Sequence, residues 1–181
     1  MHIAGRAAVV AVRVAILMAL AAVGSASSTD RALQEDDIRE VVFRHQFDHN
    51  SSGQQKTAHS YYLALGEKDT DPSDQFMTRF SHHKPPVRKA SACHWTSVEI
   101  VDKRSGKPGL LFRISTITWI SDSEVRVEGG YDEANVSASR NTYTVKKHEK
   151  WKVTDDGMSV ISEVTLPAPL PKPLRPLRPL R

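Results

Sequence analysis

Cysteine is nearly absent from this chain of 181 residues, and Cys93 is the only one. A single cysteine excludes an intrachain disulfide, so core packing must hold the domain together. The thiol is then buried, reactive or paired between two chains, and we expect it to be buried. CxxC pairs, phosphate-binding glycine loops, the G-x-S-x-G motif and internal domain repeats are absent as well. The sequence therefore lacks the familiar catalytic signatures.

The chain also lacks an apolar run long enough to span a membrane, and the shorter run that it has resembles an export signal. Residues 14–23 are continuously apolar, about half of the ~20 residues that a spanning helix needs. Arg6 and Arg13 precede the run, and Gly24-Ser25-Ala26 follows it. A basic start, an apolar middle and a small-residue end are typical of a secretory signal peptide. We predict a signal peptide over residues 1–26 and a secreted or periplasmic protein, with an uncleaved anchor as the alternative.

The basic excess of the chain belongs to its two ends. The sequence has 25 Lys and Arg against 21 Asp and Glu. Two of the cations lie in residues 1–26 and four in the last fifteen residues, while all the acids lie between, which leaves 19 cations against 21 acids in residues 27–166. A nucleic-acid surface needs basic residues clustered on the folded part. We therefore predict no nucleic-acid partner.

Two helices are predicted in the first half of the mature chain. Residues 27–35 are polar and are interpreted as a flexible lead-in. Asp36 and Asp37 then begin a helix that carries apolar side chains on two sides and ends near Asn50. A second, short helix follows Asp71-Pro72-Ser73-Asp74, with Asp71 as its capping carboxylate and Pro72 at its first position. Between the helices, residues 59–65 are either a strand or a helical turn.

From Ala90 onward the apolar period changes to two, which is typical of strands. Residues 109–120 form a long strand in which Leu110, Phe112 and Ile114 alternate out of phase with Ile117 and Trp119. A β-bulge near residues 115–116 would bring both sets to one face and bend the strand. The pattern predicts one α+β domain over residues 36–165, with N-terminal helices packed on a curved antiparallel sheet of four to six strands.

Three segments of the C-terminal half carry a family resemblance. The closing hairpin Lys150-Trp151-Lys152-Val153, the run Val127-Glu128-Gly129-Gly130-Tyr131 and the segment Asn141-Thr142-Tyr143 resemble the NTF2-like, or cystatin-like cone, superfamily, and within it a group of uncharacterised exported bacterial proteins. The resemblance covers roughly residues 36–162 and implies a cone with a pocket between sheet and helices. The superfamily houses isomerases, hydratases, cyclases and non-catalytic binding modules. Its steroid isomerases use a carboxylate base with a tyrosine and a neutral acid, and no positions here match that set.

His45 and His49 are the leading candidate site residues. They stand four residues apart on the first predicted helix, so both imidazoles project from one face and can reach one ligand. Position 46 is Gln, so the HExxH motif of zinc proteases is absent. The alternatives are two histidines bonded to backbone carbonyls at the helix rim, a metal site, or an acid–base or ligand-orienting pair in a pocket. The first is favoured, and we predict no metal and no cofactor.

Asp132 is the third catalytic candidate, at the end of a predicted strand beside Glu133 and Asn135. A carboxylate at the mouth of a pocket can abstract a proton when burial raises its pKa. The alternative is a solvated loop. Tyr131, with His45 and His49, is a candidate ligand-binding residue.

The tail, residues 166–181, contains three copies of Pro-Leu-Arg. In a polyproline II helix, with three residues per turn, Arg175, Arg178 and Arg181 lie along one edge, and Lys172 precedes them. Such a strip could bind an anionic surface weakly or an aromatic groove. The favoured interpretation is a disordered, solvated tail.

Three functions follow from these patterns. The first is an exported, non-catalytic binding or interaction module for an unknown small ligand or protein partner. The second is a small-molecule enzyme of isomerase or hydratase type that uses His45, His49 or Asp132 for acid–base chemistry. The third is an envelope-associated protein tethered by its basic tail. A homodimer is compatible with each of them.

Overall fold

The computed structural model describes residues 28–50, 52–53, 55–134 and 137–161. The predicted signal peptide, Asn135 and the tail over residues 166–181 lie outside this part of the chain. The described part has two α-helices, α1 (Ser28–His49) and α2 (Asp74–Met77), and two 3₁₀ turns, Thr78–Phe80 and Ala90–Ala92. Neither helix is long and apolar enough to cross a membrane.

The rest of the described chain is dominated by one sheet of eight strands. Their bounds are β1 (Ser60–Leu65), β2 (Val87–Lys89), β3 (Cys93–Trp95), β4 (Ile100–Asp102), β5 (Pro108–Ser121), β6 (Glu124–Ala134), β7 (Ser137–Lys147) and β8 (Trp151–Ile161). The main order is β2-β1-β5-β6-β7-β8, and the short hairpin β3-β4 joins the start of β5. Strands β5 to β8 form the antiparallel meander that the period of two indicates.

The predicted fold class is therefore wrong. The sheet has eight strands rather than four to six, and it is mixed, because β1 runs parallel to both of its neighbours, β2 and β5. Of the two predicted helices, only α1 is long enough to cross the sheet, because α2 has four residues. Strand β1 lies between the two helices in the chain and is part of the sheet. The first five of the six residues of β1 are buried. A strand covered on both faces has no alternation of polar and apolar residues, so its sequence cannot show the period of two.

Helix α1 begins at Ser28, so the predicted lead-in over residues 28–35 is helical. The extra turns contact the sheet through polar side chains. The Arg31 guanidinium lies 4.0 Å from the centroid of the Trp119 ring, and Lys147 Nζ lies 3.5 Å from Gln34 Oε1. A cation over an aromatic face contributes about 0.5–1 kcal/mol at an exposed site. These tertiary contacts extend a helix whose first turns have no apolar stripe.

The apolar sides of α1 pack between the sheet and the segment that contains α2. Phe43 and Phe47 are buried, and the Phe43 ring lies 6.2 Å from Phe76 and 6.4 Å from Phe80. On the sheet side, the Phe47 ring lies 4.9 Å from Phe112. The predicted capping of α2 is shifted, because Ser73 rather than Asp71 is the N-cap, with its hydroxyl accepting from the Phe76 N–H at 3.1 Å.

The bulge predicted near residues 115–116 is confirmed. The pairing of β5 with β6 shifts register between Ile114 and Thr116. Leu110, Phe112 and Ile114 are buried, and Ile117 and Trp119 pack against the same core cluster. The shift therefore brings both halves of the long strand onto one core, as the two phases of its sequence require.

A smaller apolar cluster lies apart from the main core and includes Tyr62, Cys93 and Leu111. The Cys93 thiol is buried and lies 3.2 Å from the Ala90 carbonyl oxygen. Burial raises the pKa of this thiol to about 11, which keeps it protonated and makes it a poor nucleophile at neutral pH. The expectation of a buried cysteine is confirmed.

The buried carboxylate of Asp102, next to the smaller cluster, accepts several hydrogen bonds. Its carboxylate accepts from the Ser105 N–H at 2.8 Å, the Ser105 hydroxyl at 3.0 Å and the Arg104 N–H at 3.0 Å. The Tyr62 hydroxyl donates to it at 3.2 Å. These bonds, the Ser105 N–H first, lower the pKa of Asp102 to about 2.

We predict that Asp102→Ala lowers stability in a pH-dependent manner. In the unfolded chain, where an Asp pKa is about 4, this carboxylate begins to bind a proton near pH 4. In the folded protein it stays ionised at that pH. The stabilisation is complete above about pH 4 and is lost as the pH falls toward 2. Urea unfolding between pH 3 and 7 measures the difference in the free energy of unfolding between wild type and variant. This difference should become smaller as the pH falls. Asp122→Ala, in the exposed turn after β5, should show no such narrowing, and a constant difference for Asp102→Ala would contradict the prediction.

Candidate functional site

A cavity of about 100 Å³ lies between the C-terminal end of α1 and strands β6, β7 and β8. Every element contributes polar side chains to it. The lining residues are Gln46, His49 and Asn50 from the end of α1, Tyr131 from β6, Ser139, Asn141 and Tyr143 from β7, and Asp156 from β8. None of them is aliphatic, which is unusual for the interior side of a sheet whose neighbouring positions form the main core.

Beside the cavity, the side chain of Gln46 joins helix α1 to the bulge of strand β5 and lies over a glycine of β6. The Gln46 Nε2 donates to the Arg113 carbonyl oxygen at 3.2 Å, at the start of the β5 bulge. Gly129 lies under this amide, and a Cβ atom there would come within 2.9 Å of Gln46 Nε2. Gly129 therefore leaves room for a polar side chain where a larger residue would fill the space.

The two histidines stack at the rim of the cavity. Their ring centroids are 4.2 Å apart with an interplanar angle of 12°. The His45 Nε2 lies 3.0 Å from Asp156 Oδ2, and the His49 Nδ1 lies 3.1 Å from the His45 carbonyl oxygen. Carboxylate and carbonyl oxygens only accept, so both of these ring nitrogens carry a proton. In a neutral His49 the remaining nitrogen, Nε2, then has a lone pair.

Hydrogen-bond partners also fix the orientation of two of the three amide side chains in the lining, Gln46 and Asn141. Asn141 Nδ2 donates to Asp156 Oδ1 at 2.7 Å, and Gln46 Nε2 donates to a backbone carbonyl. Each amide therefore turns its oxygen away from that bond. Gln46 Oε1, Asn141 Oδ1 and the Ser139 hydroxyl are buried and have no hydrogen-bond partner among the described residues. Gln46 is 2% exposed and Ser139 is 5% exposed.

The Tyr143 hydroxyl belongs to the same cavity. Burial raises the pKa of this hydroxyl, and the nearby negative charge of Asp156 raises it further. A side-chain hydrogen bond with Gln46 lowers the pKa, but by less than the other two causes raise it. The phenol therefore stays protonated at neutral pH and has a proton to donate. Its ring also meets the edge of His45, with centroids 5.7 Å apart.

Of the sequence candidates, the structure brings His45, His49 and Tyr131 to this cavity. His49 and Tyr131 line it, and His45 adjoins it through Asp156. Asp132 does not join them, because adjacent residues of a strand point to opposite faces of the sheet. Its buried carboxylate accepts from Arg113 Nη1 at 2.6 Å and from Arg140 Nη1 at 3.2 Å. The Asp132 carboxylate therefore belongs to an ion-pair network with two guanidinium groups on the other face of the sheet.

Six lining residues were not predicted as site residues: Gln46, Asn50, Ser139, Asn141, Tyr143 and Asp156. Ser139, Asn141 and Tyr143 alternate along β7 on the face of Val145, so an inward polar run was the available signal. Asp156 lies in the segment Asp155-Asp156-Gly157, whose composition is typical of a turn, although the segment lies within β8. Pairing with residues 142–144 of β7 places Asp156 beside the histidines.

Metal ligation finds little support in this geometry. In the described ranges, no three His, Cys, Asp or Glu side chains converge to form a metal site. The ring nitrogens that face Asp156 and the helix backbone carry protons, which leaves one lone pair per neutral imidazole. Each imidazole could use that lone pair on a metal, but no third such side chain of the described residues joins the two histidines to complete a metal site.

Comparison with known proteins yields no match that bears on the site. No protein-family model matches the chain, and neither a curated protein nor a solved structure matches it significantly. The function must therefore be argued from the cavity and its lining.

Proposed function

We propose that the protein is a non-catalytic binding module for a small polar molecule, held in the cavity between α1 and strands β6 to β8. One observation carries the proposal: three residues of the same cavity lining each hold a buried polar atom without a hydrogen-bond partner among the described residues. A buried polar atom left unpaired costs about 1–3 kcal/mol of folding stability. Three such atoms at one place are a cost to the fold that a bound molecule offsets.

The volume of the cavity limits the size of the ligand. A cavity of about 100 Å³ is smaller than the ~150 Å³ apolar cavity that binds benzene in an engineered protein. It is also well below the ~300–1,000 Å³ of pockets that enclose drug-sized ligands. The ligand is therefore a molecule, or the end group of a molecule, with roughly five non-hydrogen atoms or fewer.

We predict that Ser139→Ala separates binding from stability. The substitution removes an unpaired buried hydroxyl, so the free energy of unfolding should stay constant or rise by up to about 1 kcal/mol. The affinity for a ligand that bonds this hydroxyl should fall by roughly tenfold, the worth of one hydrogen bond. Urea unfolding measures the first quantity. A panel of small polar fragments, titrated into ¹⁵N-labelled protein and followed by NMR, measures the second.

Ser60→Ala is the matched control for this experiment. The Ser60 hydroxyl is also buried, but it lies in β1, outside the lining. Fragment binding should be unchanged in this variant. The proposal fails if no fragment perturbs the resonances of the lining residues, or if both serine variants weaken binding equally.

Acid–base catalysis in the same cavity is the second candidate function, favoured by the geometry of His49. Its Nδ1 proton is engaged by the helix backbone, so a neutral imidazole presents a basic Nε2. His49 lines the cavity, and the protonated phenol of Tyr143 lines it too. Turnover of a bound fragment by the wild type, abolished in His49→Gln with the fold intact, would favour an isomerase- or hydratase-like enzyme. Binding without turnover supports the module.

Export and envelope tethering are proposals that rest on sequence alone. The basic, apolar and small-residue segments of residues 1–26 support export, and Lys172, Arg175, Arg178 and Arg181 support a weak contact with an anionic surface. Expression of the full chain in a bacterial host, followed by N-terminal sequencing of the exported protein, tests the cleavage after Ala26. Unchanged envelope fractionation after deletion of residues 167–181 would contradict the tether.

A further inference from the structure

We infer that the ligand of this cavity is a small protonated amine, bound as its ammonium ion. The inference rests on the proposed binding function and assigns its ligand class. It follows from three properties of the lining: unpaired acceptor atoms, a carboxylate that forms no ion pair with a lysine or arginine of the described residues, and aromatic residues.

The unpaired atoms in the lining are mainly acceptors. Because Asn141 donates to a carboxylate and Gln46 donates to a carbonyl, their free atoms are the oxygens Oδ1 and Oε1. The Ser139 hydroxyl can accept as well, and the neutral His49 adds the lone pair of Nε2. A ligand rich in N–H or O–H donors is complementary to such a set, whereas a carboxylate or phosphate would face oxygen lone pairs.

The fixed charge of the lining has the sign that binds a cation. Asp156 is its only acidic residue, and no lysine or arginine stands among the described residues of the lining. The carboxylate accepts one bond from His45 and one from Asn141, and an ionised carboxylate has about four lone-pair sites. It can therefore accept from a bound ammonium group without giving up either bond. His45 and His49 are the other titratable groups beside it, and protonation of either would oppose a cation.

The walls of the cavity also favour a cation over a neutral donor. Tyr131, Tyr143 and His49 are all lining residues, and aromatic rings attract a cation near their faces. A hydroxyl or amide ligand would gain the hydrogen bonds but neither the attraction to the rings nor the attraction to the carboxylate.

The test compares three ligands of similar size on the purified protein at pH 8: ethylammonium, acetamide and acetate, each balanced with sodium chloride to equal ionic strength. Backbone ¹H–¹⁵N shifts of the lining residues report binding. We expect ethylammonium to bind with a dissociation constant in the millimolar range, as its few atoms allow. Acetamide should bind at least several-fold more weakly, and acetate should not bind.

Two carboxylate variants give the decisive control. Asp156→Asn removes the lining charge and should weaken ethylammonium binding about tenfold or more. Asp155→Asn makes the same change one residue earlier in β8, outside the lining, and should change the affinity less than about twofold. Preference for acetamide or acetate, or equal affinity in both variants, overturns the amine assignment and leaves the binding function standing. If none of the three ligands and no fragment of the wider panel shifts the lining resonances, both proposals are wrong.

Discussion

Asp132→Ala is expected to lower the free energy of unfolding by about 3–5 kcal/mol, because it removes one member of a buried ion-pair network. The side chain of Asp132 is 5% exposed and that of Arg113 is 11% exposed. Asp132 accepts from Arg113 and Arg140, and Arg113 also donates to Asp69 through two nitrogens. These carboxylates raise the pKa of Arg113, the Asp69 bond first, so the guanidinium stays charged in the variant. The cost is that of a largely buried charge that has lost a partner.

The same experiment separates a structural role of Asp132 from a catalytic one. Equilibrium unfolding in urea measures the loss of stability, and Glu128→Ala is the control. Glu128 is an exposed carboxylate on the same strand, bonded to the Thr116 hydroxyl at 3.1 Å, and its loss should cost no more than about 0.5 kcal/mol. Fragment binding should survive in Asp132→Ala wherever the fold is intact. A variant as stable as the wild type that no longer binds would instead place Asp132 in the site.

The features that local patterns determine were predictable from the sequence. The two phases of residues 109–120 require a bulge because Phe112 and Trp119 must reach one core, and the register shift lies there. The end of α1 next to Asn50 was predictable too, since a short polar cluster with a glycine follows. Each of these depends only on residues within a few positions of one another.

The features that depend on distant partners were not predictable. The parallel insertion of β1 beside β5 joins residues about fifty positions apart, and the burial of β1 on both faces erases the pattern that would identify a strand. The site is of the same kind, because its lining combines the end of α1 with three strands that the chain reaches much later. Two local clues were left unused: the inward polar run of β7, and the alternation along β6, which places Asp132 on the outer face once Tyr131 is on the inner face.

Gly130→Ala is expected to destabilise the fold by about 3 kcal/mol or more. A Cβ atom at this position would lie 2.8 Å from the carbonyl carbon of Ser139 and 3.2 Å from Arg140 Cα, and closer still to the Ser139 carbonyl oxygen. All three atoms belong to the backbone of β7, so no side-chain rotation relieves the clash. The strands β6 and β7 would have to separate at the position where Gly130 pairs with Arg140, and overpacking of this kind costs about 1–3 kcal/mol and sometimes more.

Gly157→Ala in β8 is the matched control, because its nearest neighbour, the Thr142 carbonyl oxygen, would lie at an ordinary 3.7 Å. An alanine in an unstrained strand position should leave stability unchanged or raise it by about 0.5–1 kcal/mol. Thermal and urea unfolding of both variants measures the contrast. Gly130 precedes Tyr131 in β6, and its partner in β7, Arg140, follows Ser139. Separation of the two strands here would therefore widen the cavity that Tyr131 and Ser139 line. A Gly130→Ala protein with wild-type stability and affinity would mean that β6 and β7 do not approach each other as closely as the fold requires.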